Sequence, residues 1–382
     1  MFKLPKQDLV NLAKEFSSEI NTFNKKSFLI TGGTGFIGKW LIAVLNELNR
    51  INDFHISLTI LTRDKNKFIS AFKDDEDLKN LKFIESDIRH LDNINNKELA
   101  FDYIVLGAND ATYDFSLNPN LLTDTLIGGT RLMIEKFVTN KTNTILHLSS
   151  GAVYGDIAKL NNGVKENDKA NFDITNLGSM YGISKLLVES ILNDLSVKKD
   201  IKIINARCFA FVGPYLPLDK HFAVGNFINN CLNSEPIVIN GDGSPVRSYM
   251  YAADMVKGLL KSLQSKKSSA INIGSDKAIS ISDLANLISN ELGNPNVVIK
   301  NNGKSHPEKS NYYLPDISLL KSLGYEESYD LRSSITKTYK FYKGLKYLRK
   351  LAMDDSQPSS GLQSLVSAFH LQHERFRNTF FY

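Results

Sequence analysis

Cysteine is nearly absent: Cys208 and Cys231 are the only two in 382 residues. Two thiols cannot build a disulfide framework, and the seven histidines show no metal-ligand spacing with them. No metal is therefore expected. Long apolar runs are missing too. No stretch approaches the roughly 20 residues that cross a membrane, and the N-terminal MFKLPKQDLVNLAKEF lacks the apolar core of a signal peptide. Charge of one sign is scarce, since 46 basic residues against 41 acidic ones leave +5. That mild excess suits an anionic small ligand. No basic run with interleaved aromatics points to nucleic acid, and the scattered lysines read as a solvated surface. There is no internal repeat. What remains is a chain with 42% hydrophobic content, enough to bury a large core as one α/β domain plus a smaller one. No nucleic-acid or membrane partner is expected, and the cytoplasm is the default location.

Residues 5–23 read as one amphipathic helix, with Leu9, Leu12, Ala13, Phe16 and Ile20 on a face, standing as an appendage before the first strand. That strand, 27–30, runs into Thr31-Gly32-Gly33-Thr34-Gly35-Phe36-Ile37-Gly38. A helix follows in which Trp40, Leu41, Val44, Leu45 and Leu48 keep helical spacing. Strand, glycine loop and helix in that order are the context of a dinucleotide fingerprint. Without a Cβ the backbone can approach a pyrophosphate closely, and the helix start offers it free N–H groups.

Further strands are expected at 56–61, 81–84, 102–106, 144–148 and 201–205, with helices at 67–72, at 122–138 and around Tyr181. Such alternation implies a parallel sheet covered on both faces, with ligands beyond the carboxyl ends of its strands. The fold class is thus a Rossmann-type doubly wound sheet with a smaller mixed α/β C-terminal domain. After Arg207 the texture changes. Gly213, Pro214 and Pro217 break regular structure. A helix at 223–232, a strand at 236–239, the turn Gly241-Asp242-Gly243, a strand at 270–273 and helices at 282–292 and 333–342 then make up the smaller domain. The expected division is 1–25, a helical appendage; 26–206, the cofactor domain; 207–343, the substrate domain; and 344–382, a tail. In that tail DDSQPSSGLQ reads as a linker and SLVSAFHLQHERF as a short helix.

Tyr181 and Lys185 lie four apart in a helical stretch, so both side chains point from one face. A cation one turn away favours phenolate over phenol and moves a tyrosine toward acid–base chemistry at neutral pH. Ser150, some thirty positions earlier at a strand end, would hold the same substrate oxygen. Alone, this spacing more often describes a surface Tyr and Lys on an amphipathic helix; the glycine loop, Asp87, Gly107-Ala108 and Ser150 on one rim change that.

Together these segments resemble an extended short-chain dehydrogenase/reductase, of the NAD(P)-dependent nucleotide-sugar epimerase/dehydratase family. The likeness covers about 26–342 through TGGTGFIG at 31–38, SDI at 86–88, SSGAVYG at 149–155, YGISK at 181–185, RCFAFVGP at 207–214 and RSYMYAAD at 247–254. INIGS at 271–275 and YLPD at 313–316 also fit. The resemblance implies a cytoplasmic, homodimeric enzyme of nucleotide-sugar metabolism. Gly32, Gly35 and Gly38 would line the pyrophosphate, backed by Phe36 and Ile37. Asp87 and Ile88 would flank the adenine, and Ala108 would lie along the cofactor. Ser150, Tyr181 and Lys185 would be catalytic, with Tyr181 and Lys185 also touching the cofactor. Arg207 and Arg247 would contact the nucleotide sugar, a structural ion pair being the alternative for each.

Three departures bear on the activity. Thr62 stands where an Asp usually grips the ribose of NAD, and Arg63 after it can pair with a 2′-phosphate; NADP is therefore favoured, with NAD left open by Asp64. Gly151 and Ala152 replace the Asp–Glu pair of the dehydratases, and Ala152 a Glu that the decarboxylases tend to carry. Val105 stands in place of the usual His of the fourth-strand motif, an Asn often found in the helix before Gly129-Thr130 is missing, and Tyr312 stands where an Arg often precedes Y-x-P-D. The expected activity is epimerisation by transient hydride transfer at a sugar carbon, C4. A 4-keto-sugar reductase using NADPH is the alternative, ahead of dehydratase or decarboxylase. A catalytically silent cofactor-binding scaffold or sensor is the reading outside enzymes.

Overall fold

The computed structural model describes residues 1–92, 94, 99–109, 118–157, 163–220, 222–293, 297–300 and 312–354. The tail read as linker and helix lies outside them. Seven parallel strands form the central sheet: β1 (Ser27–Thr31), β2 (Ser57–Thr62), β3 (Leu81–Glu85), β4 (Tyr103–Leu106), β5 (Thr144–Ser150), β6 (Lys202–Cys208) and β7 (Ser269–Ile273). Their spatial order is β7-β6-β5-β4-β1-β2-β3. The chain starts in the middle and reverses direction between β1 and β4, and such a reversal opens a crevice beyond the strand ends. Residues of the inner strands are buried on both faces, as in Phe28, Leu29 and Ile30 of β1 and Ile104 and Val105 of β4.

Helix α1 (Lys6–Glu15) opens the chain. Helix α2 (Phe36–Asn52) follows the glycine loop, α3 (Ser179–Lys199) carries Tyr181, and α4 (Ala252–Ser262) precedes β7. The helix expected at 122–138 spans Pro119–Thr123 and Gly129–Phe137, joined by a π-helical turn at Asp124–Gly128.

Two readings of the chain's organisation change. The strand expected at 270–273 is the outer strand of the central sheet: Ser269 to Ile273 pair with Ile204 to Cys208. A parallel partner 65 positions earlier is chosen by the open sheet edge, which no local pattern encodes. The N-terminal segment is no free appendage. It breaks after α1 into a short 3-10 turn (Phe16–Glu19) and a last turn (Ile20–Phe23). Phe2, Leu9, Leu12, Phe16 and Phe23 join the core cluster containing Trp40 and Val44 of α2; the side chain of Ile20 lies outside those described. Buried Asp8 accepts hydrogen bonds from Tyr251 Oη (2.8 Å), Tyr329 Oη (2.9 Å) and Lys337 Nζ (2.8 Å), which offset its desolvation.

The smaller unit packs the helices Ala223–Leu232, Ile281–Leu292 and Leu331–Asp354 around Phe227, Ile228, Leu284 and Ile335. It carries a three-stranded ribbon in which Tyr312 and Tyr313 pair with Val246 and Arg247. Trp40 Nε1 donates to the Pro214 carbonyl at 2.9 Å and ties α2 to this unit. No described helix is long and apolar enough to cross a membrane.

Candidate active site

Three strand ends make the floor. Thr31, the last residue of β1, uses its hydroxyl to hold the β4 end: Oγ1 donates to Val105 O (3.1 Å) and accepts from Gly107 N (2.9 Å) and Ala108 N (3.0 Å). Ala108 is thereby fixed beside the glycine loop. Gly32 there has φ +71°, and a Cβ on it would lie 2.2 Å from Gly107 O. A Cβ on Gly38 would lie 2.4 Å from Gly32 O. Only glycine fits either position. Gly35 caps α2 with no side-chain hydrogen bond, so the first N–H groups of the helix are left for a ligand. Phe36 and Ile37 are half-buried and pack on the core behind the loop. This cradle fits a dinucleotide pyrophosphate.

The residues expected to flank the adenine lie at the β2–β3 edge. Exposed Arg63 follows buried Thr62 and lies near enough to Asp87 to help lower the pKa of its carboxyl. Asp64 caps the next helix by accepting from Lys67 N at 2.7 Å. The Asp87 carboxylate is bound by Arg89 through Nε (3.0 Å) and Nη2 (2.7 Å), and this pairing holds it below the usual carboxylate range. Ile88 is buried, and it fills the space where a Cβ on Gly129 would stand, 3.0 Å from its side chain.

The acid–base groups gather at the ends of β5 and β6. Ser150 ends β5, with its hydroxyl near enough to the Tyr181 phenol to oppose the phenol's upward shift. Asn109, next after Ala108, donates to Tyr181 Oη from Nδ2 at 3.1 Å. The glycine loop and the tyrosine thus meet through 107–109. Tyr181 and Ser150 are where the motif reading put them.

The electrostatics differ from expectation. Lys185 does not lower Tyr181; burial dominates and pushes the phenol up to about 12, against the hydrogen bonds from Ser150 and Asn109. Lys185 is 2% exposed and donates from Nζ to Leu148 O at 2.7 Å. Burial lowers it to about 8, with Cys208 and Glu189 opposing the shift. One helical turn of separation places two side chains on one face, but a backbone carbonyl nearer the ammonium holds it. Cys208 faces Ser150 in register, and burial pushes its thiol up to about 12, which keeps it unreactive.

The two arginines part company. Arg207 forms a buried ion pair, the alternative that the sequence left open for it. Its Nη2 lies 2.7 Å from the Glu189 carboxylate, Nε donates to the same group, and Nη1 donates to Glu166 O (2.9 Å). It is 9% exposed and lies 4.8 Å from the centre of the Tyr154 ring. Arg247 remains half-buried at the crevice, its guanidinium 5.8 Å from the Tyr313 ring centre.

Two residues of the site went unassigned in the sequence. Asn109 follows an ordinary strand end and has no motif. Tyr313 belongs to YLPD, whose likeness was noticed without a role. Its hydroxyl stands 2.6 Å from where a Cβ on Gly151 would lie, and its ring lies 4.8 Å from that of Phe209. Among the described residues no cluster of His, Cys, Asp or Glu could hold a metal.

Comparison with known proteins agrees with this geometry. The model of the NAD dependent epimerase/dehydratase family matches residues 28–274. UDP-glucuronic acid decarboxylase 3 of Arabidopsis thaliana is 30% identical over 313 residues, covering 80% of this chain and 86% of that protein. A putative UDP-glucose 4-epimerase of Methanocaldococcus jannaschii is 28% identical over 326 residues, covering 82% and 98%. Among solved structures, the UDP-N-acetylglucosamine 4-epimerase of Methanobrevibacter ruminantium superposes with a TM-score of 0.69 at 22% identity. It covers 84% of this chain and 99% of that one, a likeness of fold.

Proposed function

The chain belongs to the NAD dependent epimerase/dehydratase family, and from that premise we propose that it is a nucleotide-sugar 4-epimerase. The observation that carries the choice within the family is the crowding at Gly151. A Cβ there would lie 2.6 Å from Tyr313 Oη and 2.8 Å from the Phe209 ring. No carboxylate can stand at 151, and 152 is alanine. The acid and base that remove water in a dehydratase have no place on this loop. That leaves the phenol of Tyr181 and the hydroxyl of Ser150 to handle a single proton at one sugar oxygen.

The glycine loop and the α2 start would hold the pyrophosphate of NAD(P), Ala108 would lie along it, and Lys185 would hold the nicotinamide ribose. When bound, the nicotinamide supplies reversible two-electron chemistry. The residues of this chain do the rest. Ser150 hydrogen-bonds the C4 oxygen and orients it. Tyr181, as phenolate, accepts the proton of the C4 hydroxyl and later returns it to the same C4 oxygen once the keto sugar presents its other face. Arg247 would hold the anionic nucleotide. Thr62-Arg63 favours a second reading, a reductase of 4-keto sugars that uses NADPH and runs only the return half.

The test is to incubate purified protein with UDP-glucose, UDP-N-acetylglucosamine and UDP-glucuronic acid separately and follow the sugars by NMR. Conversion to the C4 epimer without net cofactor consumption is expected. Release of carbon dioxide from UDP-glucuronic acid would make it a decarboxylase. Inertness toward all three, with stoichiometric NADPH oxidation on a 4-keto sugar, would make it a reductase.

A further inference from the structure

Tyr181 stands in the first turn of α3, and its hydroxyl receives a hydrogen bond from Asn109 Nδ2 at 3.1 Å. No motif in the sequence gives Asn109 a task, and the transfer of a proton between Tyr181 and a sugar does not by itself call for it.

The backbone that carries Asn109 is built to hold it still. Thr31 ends β1 just before the glycine loop, and its hydroxyl is fully engaged there: Oγ1 donates to Val105 O and accepts from Gly107 N and Ala108 N at 2.9 and 3.0 Å. Gly107 also lies against β5, since a Cβ on it would come within 2.8 Å of the Leu148 side chain and 3.0 Å of Thr31 O. Residues 105–108 are thereby clamped between β1 and β5, and Asn109 follows directly. A donor fixed before the reaction costs no reorganisation when charge develops beside it.

In the proposed reaction that charge develops on Tyr181 Oη. A phenolate has no proton to give, so an amide facing it must present N–H and not its oxygen. Burial works against the phenolate. Lys185, the cation expected to offset it, is held by Leu148 O at 2.7 Å. A hydrogen bond to a charged oxygen is among the stronger ones, and it favours the charged form. A phenolate oxygen accepts more than one donor, so Asn109 can stay bound while the C4 hydroxyl approaches. The Ser150 proton remains for the sugar oxygen.

We propose that Asn109 is a further catalytic residue: its side-chain N–H holds the Tyr181 phenolate, from a position set by Thr31 at the start of the glycine loop. The sugar's proton moves from the C4 oxygen to Tyr181 Oη and back, while the Asn109 protons stay on their nitrogen. The inference rests on Tyr181 being the acid–base group proposed above.

Two substitutions separate the donor from its shape. Asn109→Asp keeps the outline and, ionised, has no N–H to give; Asn109→Leu keeps the bulk and has no polar atom. With the protein labelled at tyrosine Cζ, the Tyr181 signal is found by its loss in Tyr181→Phe. Its move to the phenolate position is then followed as pH is raised. Both variants are expected to delay that move by about one to two pH units. Asn109→Asp should delay it at least as far as Asn109→Leu, because its charge repels the phenolate. On a sugar the wild type converts, kcat at neutral pH should fall about ten- to a hundredfold with KM little changed, and should recover as pH rises. Ionisation of Tyr181 at the same pH in all three proteins overturns the proposal. So does an Asn109→Asp protein that titrates and turns over like the wild type, because Asn109 would then serve by shape alone. A raised KM with unchanged kcat would make Asn109 a sugar ligand and overturns it too. If the wild type converts none of the three sugars, the epimerase reading falls, and the carbon titration still decides the donor.

Discussion

Lys185 Nζ donates to the carbonyl oxygen of Leu148 at 2.7 Å, one strand residue short of the Ser149-Ser150 pair. The carbonyl of β5 fixes the ammonium in the buried floor of the site, beside Cys208 and Glu189.

Burial lowers Lys185 to about 8, so its charge is present below that pH and lost above it. If the ammonium grips the ribose, affinity for NAD should fall as pH rises through about 8 and approach that of Lys185→Met. The stability contribution has the opposite sign. The cost of burying the charge is full below pH 8 and is relieved between about 8 and 10.4, the free value. Cofactor titrations from pH 6.5 to 9.5, as experimental settings of about that span, check this. A flat profile in the wild type would remove Lys185 from the cofactor site.

Tyr181→Phe keeps the ring and removes the proton carrier. Turnover should fall by about 10²–10⁴, the worth of one general acid–base group. NAD affinity should barely change, because the glycine loop holds the pyrophosphate. Steady-state rates and a cofactor titration on the same preparation separate the two. Near-normal turnover would make Tyr181 a structural residue.

Gly32→Ala meets two obstacles, a left-handed φ of +71° and Gly107 O at 2.2 Å from the new Cβ. The cost should be about 1–3 kcal/mol or more, read as a lower Tm, with cofactor binding lost. Gly128→Ala is the control, since its Cβ meets nothing within 4 Å. The expectation fails if both variants bind NAD like the wild type.

Ile183 and Leu187 lie one turn apart on α3 and are 36% and 45% exposed, with Leu177 at 67% just before the helix. We expect this stripe and the neighbouring helix Gly129–Phe137 to meet their copies as a four-helix bundle in a homodimer. Leu187→Glu should yield monomer while leaving the fold intact. Light scattering at micromolar concentration decides, and a monomeric wild type ends the idea.

Arg63 is exposed at the end of β2, and Asp64 beside it is occupied with capping a helix. Replacing Thr62-Arg63 by Asp-Ala should therefore turn preference from NADP toward NAD. Equal binding of both cofactors by the wild type would show that Arg63 does not choose between them.

The glycine loop, the strands of the central sheet from β1 to β6 and the Ser150–Tyr181 pair were legible in the sequence. Each rests on a local rule: a turn that needs glycine, buried strands bounded by turn signals, or a residue at the end of a strand whose neighbours are close in the chain. The sequence also determined that no carboxylate follows Ser150. Tertiary structure decided the rest. Arg207 looked like a phosphate ligand until Glu189, from the facing helix, took its guanidinium. Tyr313 belongs to a motif that fits the resemblance without a role, and its pairing with Arg247 sets its hydroxyl beside Gly151, 162 positions earlier, from another unit of the fold. The strand at 269–273 found the open edge of β6, and Asp8 found partners up to 329 residues away. Spacing along the chain says which side chains share a face. It does not say which buried group stands opposite, and in a low-dielectric interior that neighbour sets both the charge and the role.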